Sequence, residues 1–386
     1  MTSAKRRDSS LGRVTSLDGL RGVAAVMVLL SHLMLLGPWI STVALDKSLA
    51  GPVWSWPWWL VHTPLHIFWE GTGAVYIFFI LSGFVLTLPV VRNTRFSWLA
   101  YYPSRIVRLY VPVIASVVLA VVSIMLVPRS GSVGSKWLDG HIVSPTIPAI
   151  LEDMTLLLGG GVLNTPLWSL RWEVAFSILL PAFVWLAFRL RGRPWILICG
   201  CLIAICVGEL THVSVLRFFP YFLIGGVMAA GWETISKSVT RINENRRASS
   251  AWLAIAILGV VLLEAGWYGV AIGIRSELLP IGNALSAMGA VLLVFSAVGA
   301  PFMKRWLESA VIQWLGKISF SLYLTHEPLL TAIAFLLPAQ PVLIAMLTFP
   351  LALLLAQIFL VLVERPSHLL ARSIKKSIEK SRLVSV

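Results

Sequence analysis

Ten apolar runs, each near the ~20 residues that a bilayer core requires, decide what this chain can fold into. They are Leu17–Leu36, Gly73–Val90, Ile106–Val127, Leu167–Phe188, Trp195–Leu210, Leu216–Trp232, Ala251–Tyr268, Leu279–Val298, Ile318–Leu337 and Val342–Val363. Hydrophobic residues make up 58% of the chain and charged residues 12%, whereas about a quarter of a soluble domain is charged. No polar segment within the 386 residues is long enough to fold as a soluble domain of its own. In lipid every backbone group must be satisfied internally, which runs of this length achieve as helices. The expected fold is therefore all-α, a polytopic membrane helix bundle of about ten transmembrane helices. One membrane domain, residues 17–366, is flanked by a basic N-terminus, 1–16, and a basic tail, 367–386. The first run has no small-residue cleavage site after it, so it reads as a retained helix and not a removed signal.

The net charge of +14, from 31 Lys and Arg against 17 Asp and Glu, raises the question of a nucleic-acid partner, and the position of the charges answers it. Basic residues cluster between alternate runs: Arg92, Arg95 and Arg105; Arg189, Arg191 and Arg193; Lys237, Arg241, Arg246 and Arg247; Lys304 and Arg305; then the tail after the polar stop Glu364-Arg365-Pro366. The opposite loops hold isolated basics, Lys47, Arg129, Lys136, Arg217 and Arg275. This is the positive-inside pattern, which also suits anionic headgroups. It predicts a multi-pass protein of the inner (plasma) membrane with both termini cytoplasmic, membrane lipids as partners and no nucleic acid. No motif bears on oligomeric state. Cys199, Cys201 and Cys206 share one apolar run and read as core-filling thiols, so no metal site is expected. Two outer loops are long. Gly37–Thr72 is dense in Trp and Pro, and Pro128–Pro166 carries Gly/Ser runs and the acids Glu152 and Asp153. They are either the roof of an outward-opening cavity or plain connectors.

Ionisable residues inside the runs point to function, because they are costly there. Arg21 and His32 are eleven positions apart, which returns them to one helix face roughly 16 Å apart along the axis. Arg105 and Arg108 share a face at the cytoplasmic entry of the third run. With Arg21 they would form a phosphate clamp, since guanidinium forks match phosphate oxygens; snorkelling to headgroups is the alternative for each. Ser169 and Glu173 share a face of the fourth run, with Arg171, His32 or a substrate hydroxyl as candidate partners of the carboxylate. A Glu–Arg pair that only locks two helices is the plainer reading. Ser319, Tyr323 and His326 form a stripe on the ninth run, followed by Pro328. The pair Ser82-Gly83 in the second run allows a close helix approach.

Taken together and in order, the Arg21-to-His32 run, FFILSGFVL, Arg105-x-x-Arg108, LWSLRWE, ISFSLYLTHEPL and the closing ERP resemble the bacterial membrane acyltransferase 3 family across essentially the whole chain. The resemblance implies a ten-span O-acyltransferase that takes an acyl group, usually acetyl, from cytoplasmic acyl-CoA. The acceptor implied is a hydroxyl of a cell-envelope polysaccharide, a lipid-linked sugar or, in some members, a small glycosylated metabolite. Acetyl-CoA is then a co-substrate, and no bound cofactor is expected. The resemblance makes His32, Glu173, Tyr323 and His326 the catalytic candidates and Arg21, Arg105 and Arg108 the donor-binding ones. Trp168, Ser169 and Ser319 are the expected substrate contacts. Tyr76, Val174 and Ser177 depart from the family pattern, which bears on the acceptor. Within this frame His32 serves either as general base or as a covalent acyl carrier, and a succinyl or longer acyl donor is the near alternative. The rival outside it is a proton-coupled transporter with His32, Glu173 and His326 as the relay. That reading leaves the arginines unexplained, and no inverted repeat supports it.

Overall fold

The computed structural model describes residues 14–45, 54–93, 96–131, 134–157, 159–271 and 279–384. Residues 1–13 of the basic N-terminus, and Lys47, Arg95 and Arg275, lie outside them. The described residues form helices and no strand. In chain order they are α1 (Thr15–Met34), α2 (Pro38–Leu45), α3 (Trp56–His62), a 3₁₀ turn (Pro64–Trp69), α4 (Gly71–Arg92), α5 (Trp98–Leu126), α6 (Lys136–Asp139), α7 (Ile147–Thr155) and α8 (Leu167–Leu190). There follow α9 (Pro194–Thr211), α10 (Ser214–Ala230), α11 (Trp232–Asn243), α12 (Ala248–Leu263), α13 (Ala265–Ala271), α14 (Leu279–Gly299), α15 (Pro301–Leu307), α16 (Ala310–Leu336), α17 (Pro341–Phe359) and α18 (Arg365–Val384). Local chemistry sets several starts. Proline opens α9, α15 and α17, where its missing N–H costs nothing. Ser97 and Glu70 cap α5 and α4 through their side-chain oxygens.

Among the described residues seven helices are long and apolar enough to cross a membrane, and nine if the bent pairs α10–α11 (75°) and α12–α13 (58°) each count as one span. The difference from the ten expected runs falls on α16. It is 27 residues long, roughly 40 Å, but Ser319, Ser321, Tyr323, Thr325, His326 and Glu327 dilute its apolar character. All six are buried, so the helix is polar because it lines the interior of the bundle. A second difference is at Glu364-Arg365-Pro366. The helix does not stop there: a π turn over Leu360–Glu364 carries α17 into α18, which packs along α5.

Close backbone approach holds the framework around the site. A Cβ on Gly22 would strike the Gly316 backbone, and one on Gly316 the Asp18 carbonyl, so α1 and α16 meet through glycine. Gly83 and Gly225 do the same for α4 and α10, the approach expected from Ser82-Gly83. Phe79 of α4, Phe222 of α10 and Phe176 of α8 stack at 4.6 Å centroid spacings.

The second outer loop is no plain connector. Asp153 accepts the backbone N–H groups of Gly161, Val162, Leu163 and Asn164 at 2.7–3.1 Å, winding the chain around one carboxylate. Burial alone raises the pKa of Asp153, and these four donors act against that shift. Asn164 then reaches the Leu324 carbonyl of α16 at 2.9 Å, and Ser135 the Leu35 carbonyl after α1 at 2.6 Å. The loop is thereby pinned over the seam between α1 and α16.

Candidate active site

The last turn of α1 and the middle of α16 bring two imidazoles together. His326 Nε2 lies 3.0 Å from His32 Nδ1, with the rings stacked at 5.0 Å. His326 Nδ1 faces the Leu322 carbonyl at 2.8 Å. A carbonyl only accepts, so that nitrogen carries the proton and His326 Nε2 is left as an acceptor. His32 Nδ1–H must then donate to it. The chain of donors leaves His32 Nε2 with a free lone pair, as a general base requires.

Glu327 stands behind the pair. It is 1% exposed, and its Oε2 lies 3.7 Å from His32 Nδ1. Its Oε1 accepts the Thr165 backbone N–H at 2.7 Å and lies 3.3 Å from His141 Nε2. His141 Nδ1 donates to the Trp137 carbonyl at 2.7 Å, and Nε2 also meets Thr165 Oγ1 at 3.0 Å. Burial alone would lower the pKa of His141, but the charge and hydrogen bond of Glu327 outweigh it and raise it. Trp137 completes the wall, its ring 5.1 Å from His32 and 4.2 Å from His141. Arg129, buried, donates to Thr331 Oγ1 at 2.8 Å, one turn beyond Glu327. The second outer loop therefore supplies His141, Arg129, Thr165 and Trp137 to one site with the helical histidines.

Tyr323 adjoins this group, its ring centroid 6.1 Å from that of His326. Its hydroxyl is 2.7 Å from Ser169 Oγ. Since Ser169 donates to the Pro166 carbonyl at 3.1 Å, Tyr323 is the donor between the two.

The arginines gather separately. Arg105 pairs with Glu173 at 2.5 Å and donates to Ser177 Oγ at 3.2 Å. Arg108 Nε–H donates to His368 Nε2 of α18 at 3.1 Å and interacts electrostatically with Arg105, Arg21, Glu364 and Glu173. Glu364 is held by Ser321 at 2.6 Å, and Arg21 lies 3.9 Å from Asp18. His32, His326, Tyr323 and Ser169 are thus placed together, as are Arg21, Arg105 and Arg108.

Three expected site residues sit elsewhere. Glu173 joins the arginines and not the imidazoles, the Glu–Arg pairing weighed for it but with Arg105 in place of Arg171. Arg171 instead lies over the Trp172 ring. Trp168 packs on Phe218 and Phe79. Ser319 is 2% exposed and donates to the Gly316 carbonyl of its own helix. Glu327, His141 and Arg129 join the site without a signal in the sequence. Glu327 adjoins His326 but is off its stripe, and Arg129 looked like an isolated loop charge.

The chain matches the model of the acyltransferase 3 family, an acyltransferase domain, over residues 14–361. It belongs to that family. The acyltransferase MdmB of Streptomyces mycarofaciens is 26% identical over 326 residues, 81% of this chain and 78% of that one. The O-acetyltransferase PaAT-1 of Phomopsis amygdali is 22% identical over 393 residues, 85% of this chain and 74% of that one. No solved structure matches. The acyltransferase 3 protein described here is an O-acyltransferase enzyme with multiple membrane helices, which decides against the transporter reading.

Proposed function

We propose that this acyltransferase moves an acetyl group from cytoplasmic acetyl-CoA to a hydroxyl of a cell-envelope glycan or lipid-linked sugar, with His32 as general base. The observation that carries the reading is the hydrogen-bonded chain Leu322 carbonyl, His326, His32. It fixes the tautomer of His32 and leaves Nε2 basic. His32 Nε2 takes the proton of the acceptor hydroxyl as its oxygen attacks the thioester carbonyl. The C–O bond forms, the C–S bond breaks, and the proton passes to the departing thiolate to give CoA thiol. While His32 is an imidazolium, the Glu327 carboxylate 3.7 Å away balances its charge. The Tyr323 hydroxyl serves the developing oxyanion by turning its one proton away from Ser169 Oγ.

Arg21, Arg105 and Arg108 supply the positive site for the phosphates of the donor. Arg105 is shared with Glu173, so phosphate binding competes with that ion pair. Anionic donor binding at a cationic inner end matches the charge asymmetry of the loops, which supports a cytoplasmic position for that end. The Phomopsis relative is named an O-acetyltransferase, which supports acetyl as the group moved.

The test is acyl transfer by membranes containing the protein, fed radiolabelled acetyl-CoA. Wild type is expected to label an envelope glycan. His32→Ala is expected to lose roughly 10²–10⁴-fold in rate, the range of general-base catalysis. Arg108→Ala is expected to raise KM for the donor more than it lowers kcat. Label retained on the protein and absent from His32→Ala would replace the base with a covalent carrier.

A further inference from the structure

A second buried polar cluster lies where the first outer loop meets the bend between α12 and α13. It consists of His66 from the 3₁₀ turn, Glu70 before α4 and Glu264 at the bend, which are 1%, 3% and 0% exposed. His66 Nδ1 is 3.0 Å from Glu264 Oε2 and 3.3 Å from Glu70 Oε2. One ligand-type atom from each residue lies within 4.8 Å of the other two. Ligands bound tetrahedrally at about 2.0–2.1 Å stand roughly 3.3 Å apart, so two of the three spacings already match the edges of such a site.

Hydrogen-bond donors among the described residues orient these groups. Trp267 Nε1–H donates to Glu70 Oε2 at 2.8 Å, and the Gly73 N–H to Glu70 Oε1 at 2.6 Å. The rings of Trp69 and Trp267 meet the His66 ring edge-on at 4.2 and 4.5 Å. Glu264 Oε1, in contrast, is buried with no hydrogen-bond partner among the described residues. A buried carboxylate oxygen in that state is costly. A cavity of about 140 Å³, bordered by Glu70, Tyr76, Trp267 and Ser286, adjoins the cluster and has room for a water as a further ligand.

We propose that His66, Glu70 and Glu264 bind one divalent cation of the Zn²⁺ type. Imidazole and carboxylate donors suit that ion, and its charge balances the two carboxylates. The cation ties the loop before α4 to the bend of the α12–α13 span. That loop is seated on α1 beside the catalytic end, since a Cβ on Gly71 would meet Ser31, the neighbour of His32. The role is structural and separate from acyl transfer.

The experiment strips full-length detergent-solubilised protein with EDTA, reloads it with ZnCl₂ and measures metal content. Wild type is expected to retain about one zinc per chain, and Glu264→Gln below about a tenth of that, in line with the loss of one of three protein ligands. Zinc is also expected to raise the melting temperature of wild type and not of Glu264→Gln. X-ray absorption at the zinc edge of wild type alone is expected to show one imidazole with carboxylate oxygens and no sulfur, whereas zinc on the His32, His326 and His141 group would show two or three imidazoles; this separates the sites even if the variant fails to fold. No retained zinc, equal zinc in Glu264→Gln, or sulfur ligation by the cysteines overturns the proposal.

Discussion

His32 acts through what holds it, and two neighbouring groups make that testable. At 3.7 Å and an effective dielectric of about 20, the attraction between Glu327 and a His32 imidazolium is on the order of 4 kcal/mol before solvation is counted. Glu327→Gln keeps the shape and the acceptor for the Thr165 N–H but removes that charge. Transfer is expected to fall on the order of 100-fold, mostly in kcat, in the labelled acetyl-CoA assay with the melting temperature as a control for folding. His141 bears on stability instead. Its pKa is raised above the ordinary 6.5, because the charge and hydrogen bond of Glu327 outweigh its burial. A folded-state value above the unfolded one means the stabilisation is complete below the unfolded pKa and is lost as pH rises through the folded one. Wild type is therefore expected to lose more stability than His141→Gln as pH rises above 6.5. Parallel melting curves of the two proteins from about pH 6 to pH 9 check this; identical slopes would remove His141 from the account.

The α1–α16 pair is the element on which the site depends, since one helix carries His32 and the other His326 and Glu327. Glycine at 22 and 316 lets the two backbones touch, so Gly22→Val forces them apart. Overpacking of this kind typically costs 1–3 kcal/mol. The variant is expected to melt lower and also to lose activity, because a shift of about 1 Å breaks the 3.0 Å bond between the imidazoles. A conservative change on the lipid-facing side of α1 serves as the control. This contact explains what was legible beforehand and what was not. Arg21 and His32 declare themselves by periodicity on an apolar helix, as do Tyr323 and His326, so both halves of the imidazole pair are visible in the chain. Glu327 is not, because it points away from that stripe and gains its meaning from Thr165 and His141. Those residues come from a loop whose path depends on Asp153 collecting four N–H groups, a tertiary event with no periodic signature. The pairing of Glu173 with Arg105 is hidden for a related reason. The start of α8 lies beside Tyr323 on α16, so a position counted from an outer rim lands among the arginines. The same limit hid the cluster of His66, Glu70 and Glu264, since Glu264 lies nearly two hundred positions beyond the other two in the chain.

The molecule as a whole carries its own test of crossing number. Nine spans pass on length and apolarity when the bent pairs are included, and an odd number would put the termini on opposite sides. Contacts between elements argue otherwise. Thr15 at the start of α1 donates to Glu308, and Gln313 at the start of α16 donates to the Thr15 carbonyl, so both helices begin at one end of the bundle. α16 runs away from that end for 27 residues, and α17 returns along it. The return brings Glu364 and His368 to Arg108 and, through Arg108, to the same region as Arg21. The starts of α1 and α18 therefore share an end, as a crossing by α16 despite its polar stripe would require. Buried polar residues are tolerated in such a span because they face protein and not lipid. Single cysteines introduced at Lys376 of α18 and at Arg191 after α8, in a background lacking Cys199, Cys201 and Cys206, are expected to resist a membrane-impermeant maleimide in intact cells and to react after lysis. A cysteine at Lys136 in the second outer loop is expected to react in intact cells. If Lys376→Cys reacted from outside while Arg191→Cys did not, α16 would not cross, and the donor phosphates would no longer share a side with the basic loops.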